Sequence, residues 1–407
     1  MKRNVVMVDV LINPARVLAK EILENHDVIH VKSDSKHEFY NSSDYMFDKV
    51  IAYDGVDFEN LVMQVSSFEP ICVVAGSEWG VNLADKLSAS LGFTANIIDE
   101  FDKRRNKFSM SEALKNAGMN HIPQLRTSNV NEGLNWLKNK NISRAVVKPV
   151  DSAGSDDVYI TCNESQFELA FNNIIGKENI LFSKNESVLV QEFIEGQEHV
   201  VNTVTLDGGV WLSDCWKVTK SLTSEGRNIY DYDDLLSASS EEVKICFDYI
   251  LQVLDTLGVV IGPAHSELIL NDNGPVLIET GARISGAANP QALRIAIGTD
   301  QTQMVQECYL DKSQLLKRQK MYTLNKNCRC VHMVVGKQEV LSHEKIIDKL
   351  ESLESFSNVN FRIPNGLPIS QTVDVMTCPG AFFLVHEDNK QIEKDYSEYR
   401  KWEKEHL

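Results

Sequence analysis

No run of apolar residues in this 407-residue chain approaches the length needed to cross a bilayer. Met1-Lys2-Arg3-Asn4 passes straight into a strand-like segment instead of the apolar core of a secretion signal. The expectation is a soluble, cytoplasmic protein without a membrane partner. Basic residues are in deficit: 41 Lys and Arg against 58 Asp and Glu leave a net charge of −17. That argues against a nucleic-acid surface, which draws its affinity from cations at phosphates, and would favour cationic small substrates. Cysteine is sparse and scattered over positions 72, 162, 215, 246, 308, 328, 330 and 378. Cys328-Arg329-Cys330 is too tight for the usual metal knuckle, so reduced, buried thiols are expected. Internal repeats and low-complexity segments are absent as well. What is there, at 43% hydrophobic residues, suffices for two or three domains with real cores.

The first hundred residues alternate strand and helix. Val5 to Val10 is nearly continuous in apolar character, as a parallel strand buried on both faces should be, and helical periodicity follows from Ala15 to Asn25. His26 to Val31, Lys49 to Tyr53 and Ile71 to Ala75 continue the rhythm of a small doubly wound domain. Gly76-Ser77-Glu78-Trp79-Gly80 falls at the carboxyl end of a strand, where open α/β sheets bind ligands, which makes Glu78 a candidate substrate residue. Its glycine pair is too weak to be a dinucleotide fingerprint. Lys103-Arg104-Arg105-Asn106-Lys107 heads an amphipathic helical region ending near Gly118. Such a cluster is ordinarily a solvated face, and the functional alternative directs Lys107 into a phosphate site. Further on, Arg144 to Pro149 is a strand ending in Lys148-Pro149, followed by the small-residue loop Val150 to Asp157 and a strand at Val158-Tyr159-Ile160. Small residues let backbone N–H groups approach phosphate oxygens, and an adjacent lysine adds a point charge. Ser187 to Ile194 forms the next strand and Val210 to Val218 another. Thr219 to Tyr232, with Lys220, Arg227 and Tyr230, reads as a polar loop of the kind that closes over ligands. Toward the C-terminus strands are expected near Arg329 to Val335, Gln371 to Met376 and Gly380 to His386, with helices near Leu341 to Leu353 and Asn389 to Glu405.

The segment His265 to Gly286 organises the rest. Glu267 to Leu270 and Pro275 to Glu279 are strands joined by Asn271-Asp272-Asn273-Gly274, which is hairpin-turn chemistry. Each strand carries a carboxylate, Glu267 and Glu279, and two such charges side by side are costly unless a cation separates them. Hard oxygen ligands suit Mg2+, which keeps a few carboxylates and takes substrate phosphates besides. Arg283, four residues on, would be an always-charged anion binder beside the metal. A hairpin with two solvated glutamates is the plainer alternative.

Taken together, Lys107, the Lys148-Pro149 strand with its loop, the stretch Gln191 to Glu198, and Glu267 with Glu279 and Arg283 resemble the ATP-grasp superfamily in order and spacing. The forms VVKPVDSAGSDDV, VQEFIEGQEHVV, HSELIL and IETGARISGAANP look most like the ligases that join unprotected L-amino acids into dipeptides. The resemblance implies an α/β fold, α+β in the grasp domain, preceded by a Rossmann-like N-terminal domain. Its expected divisions are 1–100, a central domain 101–186 with the phosphate loop, and 187–407 with a closing α+β subdomain from about 321. It implies ATP and Mg2+ or Mn2+ as cofactors. Lys107 and Lys148 would bind phosphates, with Lys148 also near the adenine, and Ser152, Gly154 and Ser155 would cradle them. Gln191 and the backbone of Glu192 and Ile194 would hold the adenine, and Glu198 the ribose. Glu267 and Glu279 would hold the metal, and Arg283 would stabilise an acyl phosphate and the tetrahedral species. The implied activity is ATP-dependent ligation of two amino acids, releasing ADP and phosphate.

Two departures stand out. Gly281 occupies the place where the superfamily pattern has a metal-binding asparagine, and Gly154 stands alone where many relatives have several glycines, so that Ser152, Ala153 and Ser155 would compensate. Gly286 and Ala287, small residues after Arg283, suggest room for a large substrate side chain. Asp231, Asp233 and Asp234 would suit a cationic one, which would resemble the arginine-specific dipeptide ligases of the rhizocticin antibiotic pathway. A different small carboxylate as substrate, or ATP binding without ligation, are the other readings. Base rates lead to an expected homodimer.

Overall fold

The computed structural model describes residues 2–11, 13–34, 44–152, 157–179, 183–222, 228–287, 289–374 and 377–407. Its N-terminal sheet is parallel, built of β1 (Asn4–Val8), β2 (Asp27–Lys32), β3 (Lys49–Ala52) and β4 (Val73–Ala75) in the order β3-β2-β1-β4. The apolar strand β1 lies inside this sheet with Val5 to Val8 fully buried, as its unbroken hydrophobic run requires. The glycine pair in the loop after β4 has a packing role. A Cβ on Gly76 would stand 2.7 Å from the Asp9 carbonyl oxygen, and one on Gly80 2.6 Å from that of Val8. Glycine at both places lets the loop cross the end of β1 closely enough to project Glu78 toward the rest of the molecule.

A second sheet is antiparallel, with β5 (Gln124–Thr127), β6 (Ala145–Pro149), β7 (Tyr159–Thr161) and β8 (Val188–Glu192) in the order β5-β8-β6-β7. Strand β8 joins this sheet although it follows the division expected near 186. Helices Val130–Lys140 and Glu164–Ile174 cover one face, burying Leu134, Phe167 and Phe171 against Val147 and Val190.

The largest sheet has eight strands. Strands β9 (Gln197–Leu206), β10 (Gly209–Leu222), β11 (Asn228–Leu235), β12 (Ile261–Asn271) and β13 (Gly274–Gly281) are followed along the chain by β14 (Asn327–His332), β16 (Phe356–Phe361) and β18 (Gly380–His386). The spatial order is β13-β12-β9-β10-β11-β14-β18-β16, antiparallel throughout, with β15 (Glu339–Val340) and β17 (Pro368–Ile369) forming a separate pair. Helix Glu241–Thr256 backs this sheet through Cys246, Ile250 and Val253. Helix Gln301–Leu310 inserts Met304, Val305 and Cys308 between it and β1.

Three expectations need correction. Most of Thr219 to Tyr232 is ladder, not loop: Lys217 pairs with Asp234, Thr219 with Tyr232 and Lys220 with Tyr230, leaving 223–227, with Arg227, outside the described residues. Its polar side chains misled because this face of the sheet borders a polar cavity and not a dry core. Gln371 to Asp374 is not a strand, and residues 375–376 are not described. Phe356–Phe361, whose pattern is half-buried throughout, takes the edge position instead. The basic region at 103–107 is two helices, Phe101–Arg105 and Lys107–Asn116, broken at Asn106. Asn106 is extended (φ −89°, ψ 115°), and its side chain accepts from the N–H groups of Phe108 and Ser109, an N-cap that restarts the helix at Lys107. Among the described residues no helix is long and apolar enough to cross a membrane. All eight cysteines are unpaired, and all but Cys162 are buried.

Candidate active site

The second and third sheets face one another across a cavity of about 440 Å³. Ile122, Val146, Val158, Ile160, Phe193, Ile269 and Ile278 supply its apolar walls. Lys107, Lys148, Ser152, Gln191, Glu192, Ile194, Glu198, Glu267 and Glu279 bring polar groups to it. Its size and mixed lining suit a ligand with a flat apolar part and a charged tail. A second, small cavity is lined by Glu78, Arg105 and Arg283, and shares Lys107, Ser152 and Glu279 with the first.

At the hinge between β8 and β9 the backbone is selective. The N–H of Glu192 donates to Pro123 (3.0 Å) and that of Phe193 to Arg144 (3.0 Å), so the Glu192 N–H is not free for a ligand. The N–H of Ile194 has no backbone partner among the described residues, and Ile194 is one of the residues that line the cavity. Arg144 lies over the Phe193 ring, 3.9 Å from its centroid, and pairs with Glu195 at 2.7 Å, which fixes the hinge from outside. Gly196 follows at φ +155°, where a Cβ would meet Ile269 at 2.5 Å. Gln191 is 2% exposed and donates to Gln124 at 3.3 Å. At the opposite wall Lys220 donates to Glu198 at 2.6 Å and stands 4.5 Å from the centre of the Tyr230 ring. Burial raises the Glu198 carboxyl, against the pull of Lys220.

The hairpin places Glu267 directly opposite Glu279, with a register irregularity just after Glu267. Lys107 pairs with Glu279 at 2.8 Å and donates to the Ser152 carbonyl at 2.6 Å. Burial alone would raise Glu279, but Lys107, then Lys148, hold it well below the usual carboxylate range. Lys148 is 5% exposed, and burial, with Lys107 nearby, brings it down to about 8. Two facing carboxylates on the wall of a cavity that also holds two ammonium groups fit a hard divalent cation with anionic ligands between them. Sequence reasoning passed over His265, whose Nδ1 is 2.8 Å from Asn202 Oδ1 and whose Nε2 is 3.3 Å from Glu267. The alternation along β12, which sets His265 and Glu267 on one face, was the available signal.

Glu78 lies between two guanidinium groups, accepting from Arg105 Nη1 at 2.6 Å and Arg283 Nε at 2.7 Å. Burial opposes its ionisation, yet Arg283 and Arg105 prevail and lower its pKa. A Cβ at Gly281 would stand 2.7 Å from Glu78 Oε2, so the glycine that departs from the superfamily pattern is the one that admits this carboxylate. Arg105, also missed in the sequence, pairs with Asp151 at 3.2 Å. Of its basic neighbours, Lys103 pairs with Glu100 on the surface, while Arg104 is buried on Asp85 and the carbonyls of Ile97, Leu257 and Gly258.

Other predicted residues fall elsewhere. Gly154 and Ser155 lie outside the described residues. Gly286 and Ala287 are exposed in a turn and line neither cavity, and a Cβ added at Gly286 would meet nothing within 4 Å. Asp231, Asp233 and Asp234 are already engaged: Asp231 by Arg400 (2.6 Å), Asp233 by His332 (2.8 Å) and Asp234 by Arg329 (2.7 Å). They are not a free receptor for a cationic side chain.

Residues 104–287 match the family model of the ATP-grasp domain. Among curated proteins, dapdiamide A synthase of Enterobacter agglomerans is 29% identical over 360 residues, 87% of this chain and 84% of that one. Among solved structures, an L-amino acid ligase from Bacillus licheniformis superposes with a TM-score of 0.75 at 18% identity, covering 98% of this chain and 97% of that one. The ADP complex of an N5-carboxyaminoimidazole ribonucleotide synthetase superposes at 0.72 and 12% identity, covering 100% and 98%. At such identities the superpositions speak for the shared fold.

Proposed function

We propose that this chain is an ATP-dependent ligase of the ATP-grasp superfamily and that it joins the carboxylate of one amino acid to the amine of another. The observation that carries this reading is the juxtaposition of two cavities through Lys107, Ser152 and Glu279. One is sized for a nucleotide, and the other is walled by Arg105, Arg283 and Glu78. Adenine occupies the apolar end, between Ile160 and Ile278, with the N–H of Ile194 as its hinge donor. Glu198, steadied by Lys220, receives the ribose hydroxyls. Lys107 and Lys148 draw the phosphates toward the Glu267 and Glu279 end, where Mg2+, when bound, would screen their charge.

The chemistry follows from that placement. A carboxylate is a poor electrophile, so its oxygen first attacks the γ-phosphorus and ADP leaves with the bridging oxygen. The amine of the second substrate then attacks the acyl carbon, loses a proton, and expels inorganic phosphate. Arg283 and Arg105 face the carboxylate as its charge shifts onto phosphate and then onto the tetrahedral oxygen. Glu78 keeps the two guanidinium groups in register before substrate arrives and offers its carboxylate to an ammonium group. The arginine-type substrate rested on Asp231, Asp233 and Asp234, which are paired internally, so neutral, acidic and basic amino acids stand equal in the test.

The test is ADP and phosphate release from ATP with a panel of L-amino acids, alone and in pairs, with mass analysis of products. Release that requires two amino acids, with a product lighter by one water than their sum, is the expected result. Release with a single non-amino-acid carboxylate would replace this reading with the other ligase.

A further inference from the structure

Beyond the nucleotide cavity, a second set of ligand-type side chains converges on the large sheet. Asp233 on β11 pairs in register with Cys330 on β14, and His332 lies two residues farther along the same face. A carboxylate oxygen, a thiol sulfur and an imidazole nitrogen from these residues lie within 4.8 Å of one another. Cys330 is 3% and His332 4% exposed. His332 Nε2 is 2.8 Å from Asp233 Oδ2 and its ring also reaches the Cys378 thiol, yet Asp233 Oδ1 is buried without a hydrogen-bond partner among the described residues. A buried carboxylate oxygen left unsatisfied is costly, so its persistence calls for a cause.

We propose that Asp233, Cys330 and His332 form a binding site for a transition-metal cation of the zinc class, distinct from the hard oxygen pair Glu267 and Glu279. A thiolate, an imidazole and a carboxylate form a mixed donor set that prefers Zn2+ or Co2+ to Mg2+. The metal takes the place of the proton shared between His332 and Asp233. With Zn–N and Zn–O bonds of about 2.0–2.1 Å in tetrahedral geometry, that contact opens by roughly half an ångström, a side-chain adjustment. The fourth position is left to water.

Such a site would fasten β11 to β14, and so join the nucleotide-binding part of the sheet to the C-terminal strands. The Tyr230 ring is 5.4 Å from that of His332 and forms part of the nucleotide cavity wall beside Glu198. A bound ion would therefore stiffen the ribose side of the cavity from behind.

The experiment uses the full chain, stripped with chelator and then dialysed against Zn2+ or Co2+ in excess Mg2+, which fills the hard site. One equivalent of Zn2+ retained per chain, and thiolate-to-cobalt charge-transfer absorption with Co2+, are expected. Cys330→Ser removes that absorption, His332→Ala weakens Zn2+ retention at least ten-fold, and Cys162→Ser, at an exposed thiol, leaves both unchanged. Absence of the cobalt–thiolate absorption in the unmutated chain, or its survival in Cys330→Ser, overturns the proposal. Should Cys330→Ser not fold, X-ray absorption at the zinc edge of the unmutated chain decides. Sulfur and nitrogen neighbours uphold the site, and oxygen neighbours alone overturn it.

Discussion

Lys148 offers the clearest consequence at the scale of single residues. Burial, and after it the charge of Lys107, hold its ammonium at about 8, against an ordinary 10.5, in the nucleotide-free protein. A polyphosphate placed beside it favours the charged form and returns the pKa toward its usual value. The sign follows. Below pH 8 the lysine is charged in both states and binding moves no proton. Above pH 8 the free form is neutral, so binding takes up a proton and ATP affinity falls as pH rises. Calorimetry of ATP binding at pH 7 and pH 9, in buffers of different ionisation enthalpy, should show proton uptake only at the higher pH, and Lys148→Met should abolish it. Arg283→Ala is expected to lower kcat by about two decades or more with little change in the KM for ATP, if its charge serves the transition state. Loss of rate and nucleotide binding in equal measure would make it a ground-state contact. The sequence disclosed these residues because each sits in a local pattern: Lys before Pro at a strand end, or Glu and Arg four apart. Arg105 and His265 were illegible because their importance depends on partners far along the chain, Arg105 on Glu78 and His265 on Asn202.

Among the elements, the hairpin of β12 and β13 was readable almost to the residue, because a turn sequence and a two-residue alternation are local signals. The ladder of β10 and β11 was not. Its side chains face a polar cavity, so no apolar alternation marks it. Packing of helices Val130–Lys140 and Glu164–Ile174 depends on a detail that periodicity cannot supply. A Cβ at Gly133 would stand 2.6 Å from the tip of the Phe167 ring, in the core of the small sheet's helical layer. Gly133→Ala should therefore destabilise by about 1–3 kcal/mol through overpacking, outweighing the better helix propensity of alanine. Chemical denaturation checks this, with Phe167→Leu in the same chain expected to restore part of the loss. Gly281→Ala works differently, since the atom it would displace is the carboxylate of Glu78, held by two arginines. It should leave the midpoint of unfolding nearly unchanged while raising the KM for the first substrate, which steady-state kinetics would reveal.

Seen whole, the molecule ties its last helix to the middle of the chain. Arg400 in Asn389–His406 pairs with Asp231 and with Glu403, each at 2.6 Å, and donates to the His332 carbonyl at 2.9 Å. Arg329 is 2% exposed and joins Asp234 to Glu393. Breaking such a buried network by removing one partner leaves uncompensated charge, so Arg400→Ala should cost on the order of 3–5 kcal/mol, seen as a lower Tm. These long-range pairs are why the three aspartates invited a substrate reading from sequence alone: nothing near them in the chain reveals the arginines that claim them. The strand order carries a further consequence, for synthesis. Strand β11 is complete at Leu235, but its neighbour β14 begins only at Asn327. While the intervening chain is being made, β11 presents an open row of backbone donors and acceptors, a template for pairing with any other nascent chain. Asp231, Asp233 and Asp234 sit along that edge, and until their partners emerge from the ribosome their charges would act as gatekeepers, repelling another copy of the same strand.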